Sequence, residues 1–159
     1  LEIGAGGGLV GLAVSLGVDR RDPSPIMITD QLEMLELMTA NIELNEQQHK
    51  SVARVLNWGE PLSQEVIDLN PNVILAADCV YFEPAFPLLL DTLKRLLDLN
   101  PQAVVYFCFQ KRRRADMQFM AKAMKAFKAT QITMNADDMK VSGQGQRFLY
   151  TFESKSKAA

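Results

Sequence analysis

Histidine and cysteine are scarce in this chain of 159 residues, which has one histidine and two cysteines. Transition-metal sites draw mainly on these residue types, so we expect no metal. Cys79 and Cys108 both lie inside apolar runs, which predicts reduced thiols rather than a disulfide framework. No apolar run approaches the ~18 residues of a membrane-spanning helix. The formal net charge is only -2, so no overall basic field would attract nucleic acid.

The composition is that of a globular protein, because 48% of the residues are hydrophobic and 23% are charged. The length suits a single domain, which we place at residues 1–153, followed by a frayed polar tail at 154–159. Only three residues, Leu1–Ile3, precede the first glycines. We therefore expect the first strand to be truncated and an upstream segment to be missing.

Short β-branched runs alternate with longer amphipathic stretches along the chain. This alternation predicts an α/β fold, a doubly wound and mostly parallel sheet. The last two strands have no helix between them, so we expect an antiparallel pair at one edge. After the truncated first strand, the predicted strands two to seven are 25–29, 52–56, 72–77, 103–109, 130–134 and 147–152. The predicted helices are 9–16, 32–44, 84–99 and 111–127.

A glycine-rich loop follows the first strand, and it can be aligned in two frames. Residues Gly6 to Gly11 match the dinucleotide fingerprint G-x-G-x-x-G. The alternative frame, Glu2-x-Gly4-x-Gly6-x-Gly8, resembles motif I of S-adenosylmethionine-dependent methyltransferases. We favour the second frame, because Gly4 would break the strand too early in the first and Glu2 would be an unexplained buried carboxylate. A tight turn without a ligand is the remaining interpretation.

Two residues follow other strands at the edge where open α/β sheets bind ligands. Asp30 ends the second strand, and its carboxylate can accept hydrogen bonds from both hydroxyls of a ribose. It could instead cap the helix that begins near Leu32. Trp58 follows the third strand, where an indole ring can form one wall of an adenine slot. Its alternative role is to cover the domain surface.

Asp78 ends the fourth strand, and Tyr81 follows three residues later. These residues belong to a series of motifs that resembles the seven-β-strand protein-lysine methyltransferases, methyltransferase family 16. Residues 75–89 most resemble the fungal branch that acts on elongation factor 1-alpha. The motifs, in order, are Glu2-Ile3-Gly4-Ala5-Gly6, Thr29-Asp30, Asn41-Ile42-Glu43-Leu44-Asn45, Asn57-Trp58-Gly59 and Ala77-Asp78-Cys79-Val80-Tyr81.

The resemblance implies a Rossmann-like, seven-stranded sheet that binds S-adenosylmethionine. It implies methyl transfer to a lysine ε-amine of a protein, a translation elongation factor, by a cytoplasmic enzyme that we expect to be a monomer. Asp78 and Tyr81 would lie at the substrate lysine. The cofactor contacts would be Glu2, Gly4, Ala5, Gly6, Gly8, Asp30, Trp58 and Ala77.

The chemistry of lysine methylation suits the two residues at the reacting end. A lysine amine has an ordinary pKa near ~10.4, so it arrives protonated and must lose a proton before it can attack a methyl group. Asp78, next to a sulfonium, would stay ionised and would bind and orient the ammonium, with water taking the proton. Tyr81 can offer its ring face and its hydroxyl. If these two residues had no role in catalysis, Asp78 would be a loop carboxylate that caps a helix and Tyr81 would be a half-buried tyrosine.

Three other functions share parts of this pattern. A small-molecule N-methyltransferase would have an identical cofactor half, and a catalytically impaired cofactor-binding module would keep the glycine loop. An NAD-dependent dehydrogenase ranks last, because no hydride-transfer residues are recognisable. The basic run Lys111–Arg114 predicts a solvated helix start, with docking of an acidic partner as its alternative role.

Overall fold

The computed structural model describes residues 1–17, 25–133 and 147–155. Within these described residues, strands and helices alternate as far as a helix that ends at Ala126, and two described strands follow it. The strands are β1 (Glu2–Ile3), β2 (Ile26–Asp30), β3 (Ser51–Val55), β4 (Val73–Ala77), β5 (Val104–Gln110), β6 (Lys128–Ile132) and β7 (Arg147–Glu153). The helices are α1 (Leu9–Gly17), α2 (Leu35–Leu44), α3 (Gln64–Leu69), α4 (Phe86–Leu99) and α5 (Arg114–Ala126).

The strands form one seven-stranded sheet in the order β3-β2-β1-β4-β5-β7-β6. The ladders that join β3, β2, β1, β4 and β5 are parallel, and β7 is antiparallel to both of its neighbours. The predicted fold class is thus confirmed. The last two strands form the expected antiparallel pair at one edge, with β6 outermost and β7 between β5 and β6. β7 has two partners there, which satisfies its backbone groups on both sides.

The core lies on both faces of the sheet, as a doubly wound fold requires. The larger cluster packs α4 and α5 against β4, β5 and β7, and Phe107 at its centre is fully buried. The smaller cluster packs α1 and α2 against β2, with Ile28 and Met38 fully buried. The strand β4, whose residues Val73–Ala77 are all apolar, is central in the sheet, between β1 and β5.

Several element boundaries differ from the sequence prediction for local reasons. The six-residue helix α3 was not predicted, because so short a segment has too few turns to display a helical period. Helix α5 begins at Arg114 rather than at 111, since Asp116 accepts hydrogen bonds from the backbone before it. Residue 134, predicted to end a strand, lies outside the described residues.

The chain after β7 is described only as far as Lys155. The Lys155 ammonium donates to the carbonyl oxygen of Lys125, at 2.6 Å, and to that of Met124 in the last turn of α5. This contact suits a helix C-terminus, where unpaired carbonyls favour a cation. The rest of the predicted tail lies outside the described residues. Among the helices that are described, none is both long and apolar enough to cross a membrane.

Candidate active site

Four predicted site residues meet at the edge formed by the carboxyl ends of the parallel strands. Asp30 ends β2, whereas Gly4, Trp58 and Tyr81 follow β1, β3 and β4 respectively. All four line a cavity of about 320 Å³. This volume lies in the range of small-molecule sites. The other residues that line it are Gln31, Leu56, Asn57, Phe82, Ala85 and Leu88.

The glycine loop has a backbone that only glycine adopts readily. Gly4 and Gly6 have φ angles of +58° and +56°. A Cβ atom on Gly4 would lie 2.6 Å from Cζ2 of Trp58, whereas one on Gly6 would meet no atom within 4 Å. The loop is held in place because Ala5 N–H donates to the Thr29 carbonyl, at 3.0 Å, and the Asn41 amide donates to the Gly7 carbonyl, at 2.8 Å. Because no atom lies close to Gly6, the fixed loop leaves open space at this residue.

Glu2 points beneath this loop rather than into the cavity. Its carboxylate is buried and accepts a hydrogen bond of 2.9 Å from the N–H of Gly11, in the first turn of α1. A Cβ atom on Gly11 would lie 2.5 Å from that carboxylate oxygen. Gly11, the last glycine of the dinucleotide frame, therefore makes room for Glu2. Burial raises the pKa of Glu2 to about 7, although the Gly11 hydrogen bond opposes that shift.

Asp30 connects the glycine loop to the turn that follows β2. One carboxylate oxygen accepts from the N–H of Gly6 and the other accepts from the N–H of Gln31, each at 2.7 Å. A short 3-10 helix, Leu32–Met34, follows β2, and its N-cap is Gln31, so Asp30 does not fill that position. An ionised carboxylate has about four acceptor sites, and these two contacts leave two for a ligand at the cavity wall.

Trp58 is half-buried and lies directly against Gly4, which explains why a side chain at Gly4 would collide with it. The next residue anchors the loop, because Gly59 N–H donates to the hydroxyl of Thr92, at 2.9 Å, and Thr92 is fully buried in α4. Leu88 of α4 packs so closely on Gly59 that a Cβ there would lie 2.6 Å from its Cδ2. The indole is thus presented to the cavity by a loop fixed to α4.

Asp78 adopts a left-handed backbone conformation, with a φ of +58°. Its N–H donates to the Cys108 carbonyl of the neighbouring strand, at 2.7 Å. Each of its carboxylate oxygens accepts one hydrogen bond of 2.7 Å from the guanidinium of Arg112. Hydrogen bonding to Arg112, with the attraction of its charge, lowers the pKa of Asp78 against the opposing effect of partial burial. Asp78 is therefore held as an anion at the protein surface.

Tyr81 and its neighbour Phe82 form an exposed aromatic pair at the cavity mouth. Their side chains are 59% and 56% exposed, more than the half-buried tyrosine considered from sequence. The carbonyl of Tyr81 accepts a hydrogen bond from the guanidinium of Arg113. Large exposed aromatic side chains beside a cavity are more typical of a binding surface than of a core.

The structure separates the predicted residues into two groups. Gly4, Asp30, Trp58 and Tyr81 line the cavity. The remainder lie around it: Glu2 and Gly8 are buried, Ala5, Gly6 and Ala77 are half-buried, and Asp78 is paired with Arg112. None of their roles in binding or catalysis is tested by this geometry, and those roles stay predictions.

Sequence reasoning missed two residues of the site. Arg112 and Arg113 belong to the basic run that we interpreted as a solvated helix start, yet both bind the segment Asp78–Tyr81. Their position directly after β5 could have revealed them, because the carboxyl ends of adjacent parallel strands lie side by side. Across the described ranges 1–17, 25–133 and 147–155, no group of three or more His, Cys, Asp or Glu residues could hold a metal ion.

Comparisons with known proteins agree with this geometry. A family model described as lysine methyltransferase matches residues 1–126. Protein-lysine N-methyltransferase EFM6 of Saccharomyces cerevisiae is 41% identical over 142 residues, which cover 84% of this chain and 58% of that protein. EEF1A lysine methyltransferase 3 of Mus musculus is 37% identical over 114 residues, which cover 70% of this chain and 45% of that protein. The chain thus spans about half the length of these relatives.

A solved structure supports the same fold at low sequence identity. The S-adenosylmethionine-dependent methyltransferase SibL, in its apo form, superposes with a TM-score of 0.67 at 9% identity, over 96% of this chain and 49% of that one. This similarity concerns the fold alone. The family match covers most of the chain and includes the glycine loop, Asp30, Trp58 and Asp78. The chain therefore belongs to the lysine methyltransferase family.

Proposed function

We propose that this protein transfers a methyl group from S-adenosylmethionine to the ε-amine of a lysine in a protein, a translation elongation factor. The observation that carries the proposal is the position of the Asp78–Tyr81 segment directly after β4. Exposed Tyr81 lines the cavity that Gly4, Asp30 and Trp58 also line, and the ionised carboxylate of Asp78 lies three residues before it in the same segment. Relatives named for protein-lysine methylation support the substrate class.

The residues around the cavity suit the cofactor. The open space at Gly6 would face its methionine end, the two remaining acceptor sites of Asp30 would bind the ribose hydroxyls, and Trp58 would contact the adenine. When bound, S-adenosylmethionine supplies a methyl group on a cationic sulfur. Glu2 would act indirectly, since it holds the first turn of α1 and hence the loop above it.

The lysine would be bound by Asp78 and Tyr81. An ammonium group needs hydrogen-bond acceptors and a counter-charge, and the ionised carboxylate of Asp78 provides both. The exposed ring of Tyr81 can bind the same cation by its face. Because the pKa of Asp78 is lowered, its carboxylate is a weak base, and the lysine proton would instead be released to the solvent. Asp78 therefore orients the amine rather than deprotonating it.

Calorimetric titration tests the cofactor. We expect S-adenosylhomocysteine to bind and NAD not to bind. Trp58→Ala should weaken S-adenosylhomocysteine binding by about tenfold or more, because stacking of a base on an aromatic side chain contributes about 1–3 kcal/mol. Phe82→Ala removes a more exposed aromatic ring of the same lining and is the matched control, with a smaller expected loss. Binding of NAD alone would contradict the proposal.

Transfer of a labelled methyl group tests the substrate. The enzyme is incubated with labelled S-adenosylmethionine and purified elongation factor 1-alpha, and in parallel with a cell lysate. We expect label on a lysine of the elongation factor and on one protein band of the lysate. Label only in the small-molecule fraction would instead support a small-molecule N-methyltransferase. Cofactor binding without any transfer would support the cofactor-binding module.

We also propose three properties of the working enzyme: it acts in the cytoplasm, as a monomer and without nucleic acid. Cys79 and Cys108 are both free thiols, which suits a reducing compartment. The net charge of -2 gives no general attraction to phosphates. The domain is proposed to comprise residues 1–153, since β7 ends at Glu153.

A further inference from the structure

The basic run Lys111–Arg114 is the part of the molecule that the proposed function leaves unused. Arg112 makes a two-point contact with Asp78, one nitrogen to each carboxylate oxygen, both at 2.7 Å. Paired parallel hydrogen bonds between a guanidinium and a carboxylate fix the orientation of both planar groups. The two side chains remain 41% and 51% exposed, so the pair is not a buried structural bridge.

The backbone of Arg112 is itself held by a buried carboxylate. Asp116 is fully buried in the first turn of α5, and one of its oxygens accepts from the N–H groups of Arg112 and Arg113, at 2.7 and 2.8 Å. A carboxylate at a helix N-terminus also interacts favourably with the helix dipole. The base of the Arg112 side chain is therefore fixed before its guanidinium reaches Asp78.

The same junction between β5 and α5 contacts the segment Asp78–Tyr81 at three points. Cys108 of β5 accepts from the N–H of Asp78, Arg112 binds the Asp78 carboxylate, and Arg113 binds the Tyr81 carbonyl. Asp78 needs such support, because its φ of +58° lies in the left-handed region that a non-glycine residue rarely adopts. The segment is thus fixed at both of the residues that we assign to the lysine.

We propose that Arg112 is a positioning residue for methyl transfer, which holds the Asp78 carboxylate in one orientation for the substrate ammonium. This inference rests on the proposed function. The two contacts with Arg112 and a backbone hydrogen bond from Gln110 occupy about three of the four acceptor sites of the carboxylate, so a site remains for the ammonium. A fixed carboxylate presents the amine in one geometry, and a misplacement of about 1 Å in a reacting group can cost about 10²-fold in rate.

Kinetics of Arg112→Met, which removes the guanidinium and keeps most of the side-chain volume, test the proposal. We expect kcat with elongation factor 1-alpha to fall about 10- to 100-fold. The KM for S-adenosylmethionine and the affinity for S-adenosylhomocysteine should change less than about twofold. Arg112→Lys should remain impaired, because an ammonium cannot make two parallel contacts. Arg114→Met removes a charge from the same run and is the matched control, with a kcat close to that of the wild type.

A second measurement reads the contact without any substrate. Titration of the Asp78 carboxyl by carbon NMR, assigned with Asp78→Asn, should show its pKa rising in Arg112→Met and not in Arg114→Met. Arg147 of β7 is the other cation that lowers this pKa, and it is present in all variants. If Arg112→Met does not fold, the Asp78 carboxyl is titrated in Arg112→Lys instead. The pKa of Asp78 should also rise in that variant, but by less.

Three results would overturn the inference. An unchanged Asp78 titration would show that Arg112 does not hold the carboxylate. A lower KM for the protein substrate with an unchanged kcat would make Arg112 a competitor of the lysine. Equal losses of kcat in Arg112→Met and Arg114→Met would show that the total charge of the basic run, and not the Arg112 contact, affects methyl transfer. If the wild type transfers no methyl group, the proposed function fails first, and the NMR titration still decides whether Arg112 holds Asp78.

Discussion

Asp78→Asn is expected to lower kcat/KM for a protein lysine by about 100-fold or more and to leave the affinity for S-adenosylhomocysteine unchanged. Hydrogen bonds to a charged group contribute about 1.5–3 kcal/mol, and an amide cannot replace the counter-charge of the carboxylate. S-adenosylhomocysteine carries no charge on its sulfur, and Asp78 is not among the described residues that line the cavity. Substrate and cofactor effects should therefore separate.

Asparagine is the informative substitution because of the backbone at Asp78. Its φ of +58° is tolerated by Asn, whereas Ala would add backbone strain to the loss of charge. Asp91→Asn is the matched control, since Asp91 also pairs with an arginine, Arg95, but in an exposed turn of α4. Labelled-methyl kinetics and calorimetry on both variants decide the matter. Full activity of Asp78→Asn would remove Asp78 from the reaction.

Glu2→Gln is expected to remove part of the pH dependence of the free energy of unfolding. Burial raises the pKa of Glu2 from its ordinary 4.5 to about 7. Between these values the folded protein binds a proton at Glu2 that the unfolded chain does not bind. The stability that this proton provides is complete below pH 4.5 and is lost as the pH rises through about 7. The difference corresponds to about 3 kcal/mol at full extent.

Urea denaturation at pH 5 and pH 8 measures this effect. Gln keeps an oxygen for the N–H of Gly11 but cannot ionise. The free energy of unfolding of Glu2→Gln, relative to the wild type, should rise by about 2–3 kcal/mol between the two pH values. Exposed Glu36→Gln is the control and should show no such rise. A parallel pH dependence in the wild type and Glu2→Gln would mean that Glu2 does not titrate in this range.

The local elements of the fold were predictable because their causes are local. The apolar run of β4 and the glycines after β1 are legible in the printed sequence, and both were placed correctly. The antiparallel pair at one edge was expected and is present, but its order, with β7 between β5 and β6, was not predicted. Strand order depends on contacts between distant segments, and neither strand carries a pattern that specifies its neighbour.

The candidate site divides in the same way. That Asp30, Trp58 and Asp78 come together follows from their places at the ends of parallel strands, which meet at one edge of the sheet. The partners of these residues were not predictable from spacing. Asp30 binds Gly6, 24 positions away, and Asp78 binds Arg112, 34 positions away. The residues next to an arginine in the sequence do not show whether its side chain is free in solvent or forms an ion pair.

The sequence by itself determined the glycine loop, the alternation of strands and helices and the family resemblance, because these depend on residue type and spacing along the chain. Only the tertiary structure decided that Glu2 holds the first turn of α1, that Trp58 lies on Gly4 and that Arg112 holds Asp78. Each of these contacts joins groups that the folded chain brings within a few ångströms. Charge and shape determine which of the neighbouring groups form a contact, and these groups become neighbours only when the backbone has folded.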